Sequence, residues 1–332
     1  MRVLFSYEQL YPPYDEGVKN LAYMIYQTLD TEHDVTLIRD IPWLPNVINS
    51  LLIAPRLVIN SAFRRPVKIV YIPKGALTFS AIIKTWLASL FLGNKLVVVS
   101  VQRKVLSPKQ RNIVKSITLK NVFALSSRLA DELTEIGISA QVLPTGIDLS
   151  RFSPITADKT LLRSRYGLPE DKKILLHVGH IRESRNILWF GEVQKALPNI
   201  QVVIIGSTAT QQDDDVRVKL ESDGVVFLRE AFSDISELYQ AADVYCFPVT
   251  ELEGAMEIPL SVLEAMAVNI PVITTRFGRL PELFDADEFY RYVDSSADII
   301  SALESGFNEN CANREKLSQF TWEHTTSTLL NS

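Results

Sequence analysis

Cysteine is scarce in this chain of 332 residues, which contains only Cys246 and Cys311. Two cysteines cannot build the multi-bridge framework of a small secreted domain, and free thiols fit a reducing compartment. Long apolar runs are also missing, because the best candidate, residues 81–101, is interrupted by two lysines. No apolar run reaches about 18 residues and no signal-peptide pattern occurs, so we expect a cytoplasmic protein whose body does not span a bilayer.

Acidic residues are absent from residues 41–120, a stretch that contains thirteen basic residues. The rest of the chain holds all 39 acidic residues, although the net charge of the whole chain is only −5. Such segregation gives one region a positive field, which concerns its partners more than its folding. We therefore expect contact between the 41–120 region and an anionic membrane surface. No nucleic-acid-binding motif accompanies the cations, so nucleic acid is not an expected partner.

Short apolar runs alternate with helical patterns in the C-terminal half of the chain. Strands are predicted at Ile174–Val178, Val202–Ile205, Val225–Leu228, Val244–Phe247 and Pro271–Thr274. Helices are predicted at 186–197, 216–222, 234–242 and 259–268. This alternation predicts a parallel sheet that is covered by helices on both faces.

The N-terminal half follows the same alternation less regularly. Strands are predicted at Val3–Ser6, Val35–Ile38, Val67–Ile72, Leu96–Val101, Val122–Leu125 and Gln141–Leu143, and helices at 18–29, 77–91 and 127–136. A final helix is predicted from about Asn313 to Leu330. The fold class is therefore α/β, with two Rossmann-like domains facing a cleft. We place an N-terminal domain at 1–150, a C-terminal domain at 151–310 and a terminal helix at 311–332.

The segment Glu257 to Ala267 combines a helix start with two glutamates. Pro259 suits a first helical turn, so the backbone at Ile258 and Leu260 would offer free N–H groups and a positive dipole end to a diphosphate. Glu264 lies between one and two turns into the helix, where its carboxylate would accept both hydroxyls of a ribose. The alternative is an exposed glutamate that the helix dipole stabilises.

The segment Val178 to Asn186 joins a strand end to a helix start. Gly179 permits close backbone approach, while Arg182 and Arg185 can place guanidinium groups on phosphate oxygens. His180 would add a hydrogen-bond donor. The alternative interpretation is a solvated basic loop.

Two further features are weaker indications of a binding site. Gly17 follows the first strand and opens a helix, but a single glycine is weak evidence for a phosphate or sugar loop. The acidic run at 213–215 suggests a metal site, yet its polar surroundings favour a solvated loop or a helix N-terminus. We expect no metal and no other cofactor, because arginines and a helix dipole can balance the phosphate charge.

These pieces, in this order, resemble the GT-B retaining glycosyltransferases of the family 4 type. The resemblance covers nearly the whole chain and is strongest from Ala124 to Phe284. It includes Pro144-Thr145-Gly146-Ile147-Asp148, which is similar to the family's interdomain passage. It returns in Phe320-Thr321-Trp322-Glu323-His324, which resembles the helix that crosses back to the N-terminal domain.

The resemblance implies roles for several residues. Glu264 would bind the donor ribose, Arg185 and His180 would grip the diphosphate, and the loop containing Arg229 would hold the base. The family's first motif glutamate falls at Met256, so Glu257 is the candidate replacement.

A histidine that the family often places near the reacting sugar is Gln102 in this chain. Glu257, Arg185 and Gln102 are therefore the candidate catalytic residues. The leaving phosphate can itself take the acceptor proton, so the chemistry does not depend on that histidine.

The expected function is sugar transfer from a nucleotide diphosphate donor of the UDP or GDP type to a glycan or lipid-linked acceptor. Apolar residues around Trp43, around Phe63 and at Leu77–Phe91 lie among the cations, which is typical of a peripheral membrane protein on the inner face. Packing of Leu77–Phe91 as a core helix is the alternative. Two other functions stay open: a sugar-nucleotide isomerase (epimerase) of the same fold, and a catalytically idle membrane scaffold.

Overall fold

The computed structural model describes residues 1–14, 16–74, 76–154, 158–206, 213–228, 232, 234–253, 255–308 and 310–332. The chain forms two compact domains. Domain I contains Met1–Gly146, Met256–Ile258 and Thr321–Ser332, and domain II contains Ile147–Ala255 and Pro259–Phe320. Domain I therefore takes up two segments that are remote in sequence from its main part.

Domain I is built on a parallel sheet of six strands. The strands are β1 (Arg2–Tyr7), β2 (Asp34–Ile38), β3 (Lys68–Ile72), β4 (Leu96–Ser100), β5 (Val122–Ala124) and β6 (Ala140–Val142). Their order is β2-β1-β3-β4-β5-β6, and Leu4 of β1 pairs with Thr36 on one side and Ile69 on the other. The inner strands are apolar along their length because helices cover both faces of such a sheet.

Five helices follow the first five strands of domain I. They are α1 (Gly17–Glu32), α2 (Asn46–Arg64), α3 (Phe79–Leu92), α4 (Pro108–Val114) and α5 (Ser127–Glu135). Polar side chains begin three of them: the hydroxyls of Thr78, Ser107 and Ser126 each accept a hydrogen bond from a backbone N–H of the first turn. Such caps satisfy N–H groups that have no partner inside the helix.

Domain II repeats the architecture with a second six-stranded parallel sheet. Its strands are β7 (Lys173–Val178), β8 (Ile200–Ile205), β9 (Val226–Leu228), β10 (Val244–Phe247), β11 (Val272–Thr274) and β12 (Tyr290–Tyr292). Its helices are α6 (Lys159–Arg165), α7 (Trp189–Ala196), α8 (Asp214–Ser222), α9 (Ser236–Ala241), α10 (Leu260–Ala267), α11 (Leu280–Leu283) and α12 (Ser296–Glu304). The strand order is β12-β11-β10-β7-β8-β9. The predicted α/β class with two Rossmann-like domains is confirmed.

The last helix, α13 (Trp322–Leu330), belongs to domain I, where it packs against α1. The predicted continuous helix from Asn313 to Leu330 is wrong in one respect. A 3-10 turn at Asn313–Leu317 ends in domain II, and a turn at 318–319 separates it from Thr321, which caps α13. The side-chain oxygen of Thr321 accepts from the backbone N–H of His324 at 3.2 Å.

Several elements were not predicted from the sequence. They include helix α2, which contains Pro55 in its interior, and the short helices α4 and α6. The last strand, β12, contains Arg291 between two tyrosines and so lacks an apolar run. Among the described residues, no helix is both long and apolar enough to cross a membrane.

Candidate nucleotide-binding site in domain II

The candidate site lies where the strand order of domain II reverses. β7 is followed by β8 and β9 on one side, and the chain then crosses to place β10 on the other side of β7. Ligands of open parallel sheets bind at the carboxyl ends of the two strands on either side of such a switch point. Gly179 follows β7 directly, and the segment that leads to α10 follows β10. The segment Val178 to Asn186 therefore begins at this point, and α10 is reached from the other strand beside it.

Gly179 lies against two side chains that leave no room for a larger residue. A Cβ atom at this position would come within 2.9 Å of His177 Nε2 and 3.3 Å of Arg185 Nη1. The backbone N–H of Gly179 donates to Ile205 O at 3.0 Å, which fixes the turn at the end of β7. The glycine is needed here for close approach and not for an unusual backbone angle.

Arg185 is 9% exposed and ends the 3-10 turn Glu183–Arg185. Burial and, to a smaller extent, the neighbouring charge of Arg182 together lower its pKa to about 10. Arg182 itself is exposed. Both effects make the charged guanidinium more costly, so an anion placed against this pair would stabilise it. The pair remains cationic at neutral pH and can bind phosphate oxygens.

Asn186 holds the turn that presents Arg185. Its backbone is left-handed, with φ of 56°, a conformation that asparagine tolerates better than most residues. Its side-chain amide donates to Pro248 O at 2.9 Å and to Thr250 Oγ1 at 2.8 Å. The turn after β7 is therefore tied to the segment after β10, and the two sides of the switch point are fixed together.

Glu264 lies in α10 and is 6% exposed. Its carboxylate accepts a hydrogen bond from the hydroxyl of Tyr239 at 2.7 Å. Burial raises the pKa of Glu264, while the bond from Tyr239 and the charge of Arg151 act in the opposite direction. The exposed, dipole-stabilised glutamate that the sequence left as an alternative is therefore wrong. The carboxylate is a buried acceptor with one of its oxygens held by a tyrosine.

Tyr245 of β10 connects the glutamate to the arginine. Its ring centroid lies 5.7 Å from that of Tyr239, and its hydroxyl is 3.5 Å from Val178 O. Burial and the charge of Glu264 raise the pKa of its hydroxyl, which also lies within electrostatic range of Arg185. Glu264 and Arg185 are thus brought into one region of domain II, with buried aromatic rings beneath them.

The helix that carries Glu264 begins one residue later than predicted. Pro259 is the N-cap residue of α10 and not its first helical residue, and no side chain caps this end. Leu260, the first residue of α10, is buried. Because proline has no polar side chain to cap the helix, the first N–H groups of α10 keep the capacity to bind an anion.

The other predicted residues near this helix belong to domain I. Met256, Glu257 and Ile258 all join that domain. The Glu257 carboxylate is buried and accepts from Ser126 Oγ at 2.8 Å, while its backbone N–H donates to Val101 O at 3.2 Å. Burial raises the pKa of Glu257. The predicted catalytic glutamate is thus held by the residue that caps α5.

Gln102 and Gly17 also lie in domain I. Gln102 forms an isolated parallel bridge with Ala76 just beyond the end of β4. Gly17 is the first residue of α1, and a Cβ atom there would meet Met256 Cε at 3.3 Å. Met256, which stands where the family has its first motif glutamate, therefore packs against the start of α1. The described structure thus divides the predicted site residues between the two domains.

Three residues of the domain II site were missed in the sequence. Tyr239, which holds Glu264, and Tyr245 look like ordinary apolar residues of a helix and a strand, and no signal in the sequence separates them from core residues. The third residue, His177, is buried, and its Nδ1 lies 2.9 Å from Cys246 O. Burial lowers the pKa of His177 to about 4, so the ring is neutral.

Two further predictions concern the loops of domain II. Arg229, expected in the loop that holds the base, lies outside the described residues. Asp213 is the N-cap of α8, where its carboxylate accepts from the Val216 N–H at 3.3 Å. Asp214 and Asp215 continue into the first turn of that helix. This placement gives the acidic run a structural role as a helix start.

The chain is similar to curated proteins that are named as glycosyltransferases. The chain is 29% identical over 208 residues to the D-inositol 3-phosphate glycosyltransferase of Mycolicibacterium smegmatis, covering 58% of this chain and 46% of the relative. It is 26% identical over 195 residues to the UDP-Gal:alpha-D-GlcNAc-diphosphoundecaprenol alpha-1,3-galactosyltransferase of Escherichia coli, covering 52% and 48%. The chain thus spans about half the length of the curated relatives it matches.

A solved structure matches the fold over the whole chain. The Anabaena protein Alr3699/HepE in complex with UDP-glucose superimposes with a TM-score of 0.75 at 16% identity, covering 100% of this chain and 98% of that one. The class of the protein is therefore GT-B, with two Rossmann-like domains. Residues 172–306, which contain the site just described, match the model of the glycosyl transferases group 1 family.

Proposed function

We propose that the protein is a retaining glycosyltransferase that takes a sugar from a nucleotide diphosphate donor of the UDP or GDP type. The observation that carries the proposal is the presence, in one region of domain II, of a buried carboxylate at Glu264 and a buried guanidinium at Arg185. The carboxylate can accept hydrogen bonds from ribose hydroxyls, and the guanidinium can bind the oxygens of a pyrophosphate. The Anabaena neighbour, which holds UDP-glucose on the same fold, supports this choice of donor.

The ribose would bind beside α10. Glu264 has one oxygen held by Tyr239, so the orientation of its carboxylate is fixed before the donor arrives. Hydroxyl donors of a ribose would favour the charged carboxylate and offset the cost of its burial. The pyrophosphate would then lie against Arg185, Arg182, His180 and the backbone of Gly179, with the N-terminus of α10 adding a positive dipole.

Transfer needs stabilisation of the departing nucleotide diphosphate. Negative charge grows on the leaving phosphate as the sugar bond breaks, and the guanidinium of Arg185 is already positioned and partly desolvated there. The leaving phosphate oxygen takes the proton of the acceptor hydroxyl. The proposal includes no metal and no resident cofactor, because the two arginines and the helix dipole supply the positive charge.

The acceptor side of the reaction is assigned to domain I. We assign Glu257 and Gln102 to this side, where Ser126 fixes the Glu257 carboxylate. The acceptor would be a glycan or a lipid-linked sugar, presented at an anionic membrane surface through the cations of 41–120. The name of the Escherichia coli relative, which includes a diphosphoundecaprenol acceptor, supports a lipid-linked one.

Ligand-induced thermal stabilisation tests the donor site. Nucleoside diphosphates and their sugars should raise the melting temperature of the wild-type protein, because saturation at 100 times Kd contributes about 2.7 kcal/mol. Glu264→Ala and Arg185→Ala should lose most of this shift. Arg217→Ala is the control, since this arginine of α8 pairs with Asp214 and Glu221 of its own helix and the variant should keep the shift.

Turnover then separates transfer from the alternatives. Incubation with the donor alone, followed by analysis of the sugar, detects an isomerase. Release of nucleoside diphosphate that depends on an added acceptor indicates transfer. Unchanged ligand binding in both Glu264→Ala and Arg185→Ala would remove the proposed site.

A further inference from the structure

Helix α2 is apolar on two opposite faces. One face packs into domain I through Asn49, Ile53 and Leu57, which are buried. The other face is exposed and carries six large apolar residues: Val47, Ile48, Leu51, Leu52, Ile59 and Phe63. At 3.6 residues per turn these six fall within an arc of about 160°. A surface helix of a globular protein normally presents polar residues on that side.

The neighbouring helix enlarges the exposed apolar area. α3 packs against α2, and Lys84 of α3 donates to Ser50 O of α2 at 3.0 Å. Buried residues of both helices belong to the same core, so the exposed sides of both helices point away from that core. The outer side of α3 exposes Leu87, Leu90 and Phe91.

Trp43 precedes α2 and is 79% exposed. We call these exposed residues of α2, those of α3 and Trp43 the α2–α3 face. Concentrations of large exposed apolar residues of this kind mark interaction sites. The sequence left open whether Leu77–Phe91 is only a core helix, and the structure gives it one buried and one exposed apolar side.

Cations flank the α2–α3 face at its ends. Arg64 and Arg65 follow Phe63 directly and are exposed, and Lys95 follows the end of α3 and is also exposed. No acidic residue occurs anywhere in residues 41–120. Apolar side chains beside cations, with no acid near them in sequence, match the headgroup boundary of an anionic bilayer. A second copy of this chain would bring the same positive charge against the face, and the two would repel each other.

We propose that the α2–α3 face inserts its apolar side chains into the headgroup region of an anionic bilayer while Arg64, Arg65 and Lys95 bind lipid phosphates. This inference deepens the proposed function and rests on it in one respect, the lipid-linked acceptor. Docking to lipid requires no nucleotide sugar. The two proposals can therefore fail separately.

Vesicle flotation without any nucleotide sugar tests the inference. The wild-type protein should float with phosphatidylcholine vesicles that contain phosphatidylglycerol and bind vesicles of phosphatidylcholine alone more weakly. Leu51→Glu and Phe63→Glu should each reduce binding at least about tenfold. Each removes apolar area that the bilayer would bury and places a negative charge in the headgroup region. The double variant Arg64→Gln/Arg65→Gln should lose about fivefold for each cation on the anionic vesicles only.

The matched control lies on domain II. Leu161 of α6 is 68% exposed and Leu51 is 64% exposed, so Leu161→Glu makes the same chemical change at an equally accessible position. Leu161→Glu should float like the wild type. Emission of Trp43 should shift to the blue on anionic vesicles, and Trp43→Phe should lose that part of the shift.

Three results would overturn the inference. The first is a wild-type protein that binds neither kind of vesicle. The second is equal loss of binding in Leu161→Glu and Leu51→Glu. The third is a dimer in sedimentation velocity that Leu51→Glu dissociates, since a second copy would then cover the face. Normal vesicle binding with no consumption of any nucleotide sugar would support the α2–α3 face and count against the transferase.

Discussion

Replacing Gly179 by alanine adds one methyl group at the most crowded point of the candidate site. The new Cβ would lie 2.9 Å from His177 Nε2, closer than real Cβ contacts allow, and 3.3 Å from Arg185 Nη1. The His177 ring is fully buried among Phe190, Tyr245 and Phe247, with centroids at 5.2, 6.4 and 6.3 Å. The ring cannot yield, so the strain passes to the turn after β7 and to Arg185.

The size of the effect follows from these contacts. Overpacking of this kind costs about 1–3 kcal/mol of stability. A displacement of Arg185 by roughly 1 Å would reduce turnover about 100-fold, because positioned phosphate contacts depend steeply on geometry. The loss of function should thus be larger than the loss of stability explains at a temperature where the variant is fully folded.

The assay compares Gly179→Ala with Gly191→Ala. A Cβ atom at Gly191 would come within 2.4 Å of Asp223 Oδ2, so this control overpacks the same domain at α7. Both variants should melt at a lower temperature, but only Gly179→Ala should lose nucleotide-induced stabilisation and turnover. Wild-type nucleotide binding in Gly179→Ala, with Arg185 in its original place, would show that the turn does not position the guanidinium.

Three other perturbations test separate parts of the structure. Glu264→Gln should raise the melting temperature at pH 7, because burial raises the pKa of Glu264 and the charged carboxylate therefore disfavours folding. This gain should fade as the pH falls through the raised pKa of Glu264 and be gone below the ordinary glutamate pKa, and nucleotide-induced shifts should shrink. Arg185→Lys should lower nucleotide affinity about tenfold in titration calorimetry, since lysine cannot bind two phosphate oxygens in a fork; wild-type affinity should decline above pH 10, where Arg185 loses its charge. Ser126→Ala removes the cap of α5 and the bond to Glu257, which should cost about 1–3 kcal/mol in urea unfolding without changing nucleotide affinity.

The sequence was a good guide to the sheets because buried parallel strands are continuous apolar runs. Every predicted strand exists within one or two residues of its observed ends, from Val3–Ser6 within β1 to Val244–Phe247, which is β10 itself. Helix α2, which contains Pro55, was not predicted. Pro55 removes one N–H and suggests a break, yet the helix continues because its inner face packs against domain I.

The candidate site was only partly predictable. Gly179, Arg185 and Glu264 are visible because a glycine turn, an arginine and a glutamate near a helix start are unusual beside buried strands. Their partners Tyr239 and Tyr245 come from a different helix and strand, and only the folded chain brings them close. The destination of Glu257 could not be foreseen either, because a three-residue excursion into another domain leaves no mark in local composition.

The way in which domain I is assembled affects its biogenesis. Its sheet is encoded by residues 1–146, but α13 and the 256–258 segment are supplied only after most of domain II has been translated. During synthesis α1 has no α13 to pack against until nearly all of domain II has been translated. A fragment of residues 1–146 would therefore expose the side of α1 that α13 covers. A separate peptide of residues 321–332 should bind to such a fragment and restore its solubility.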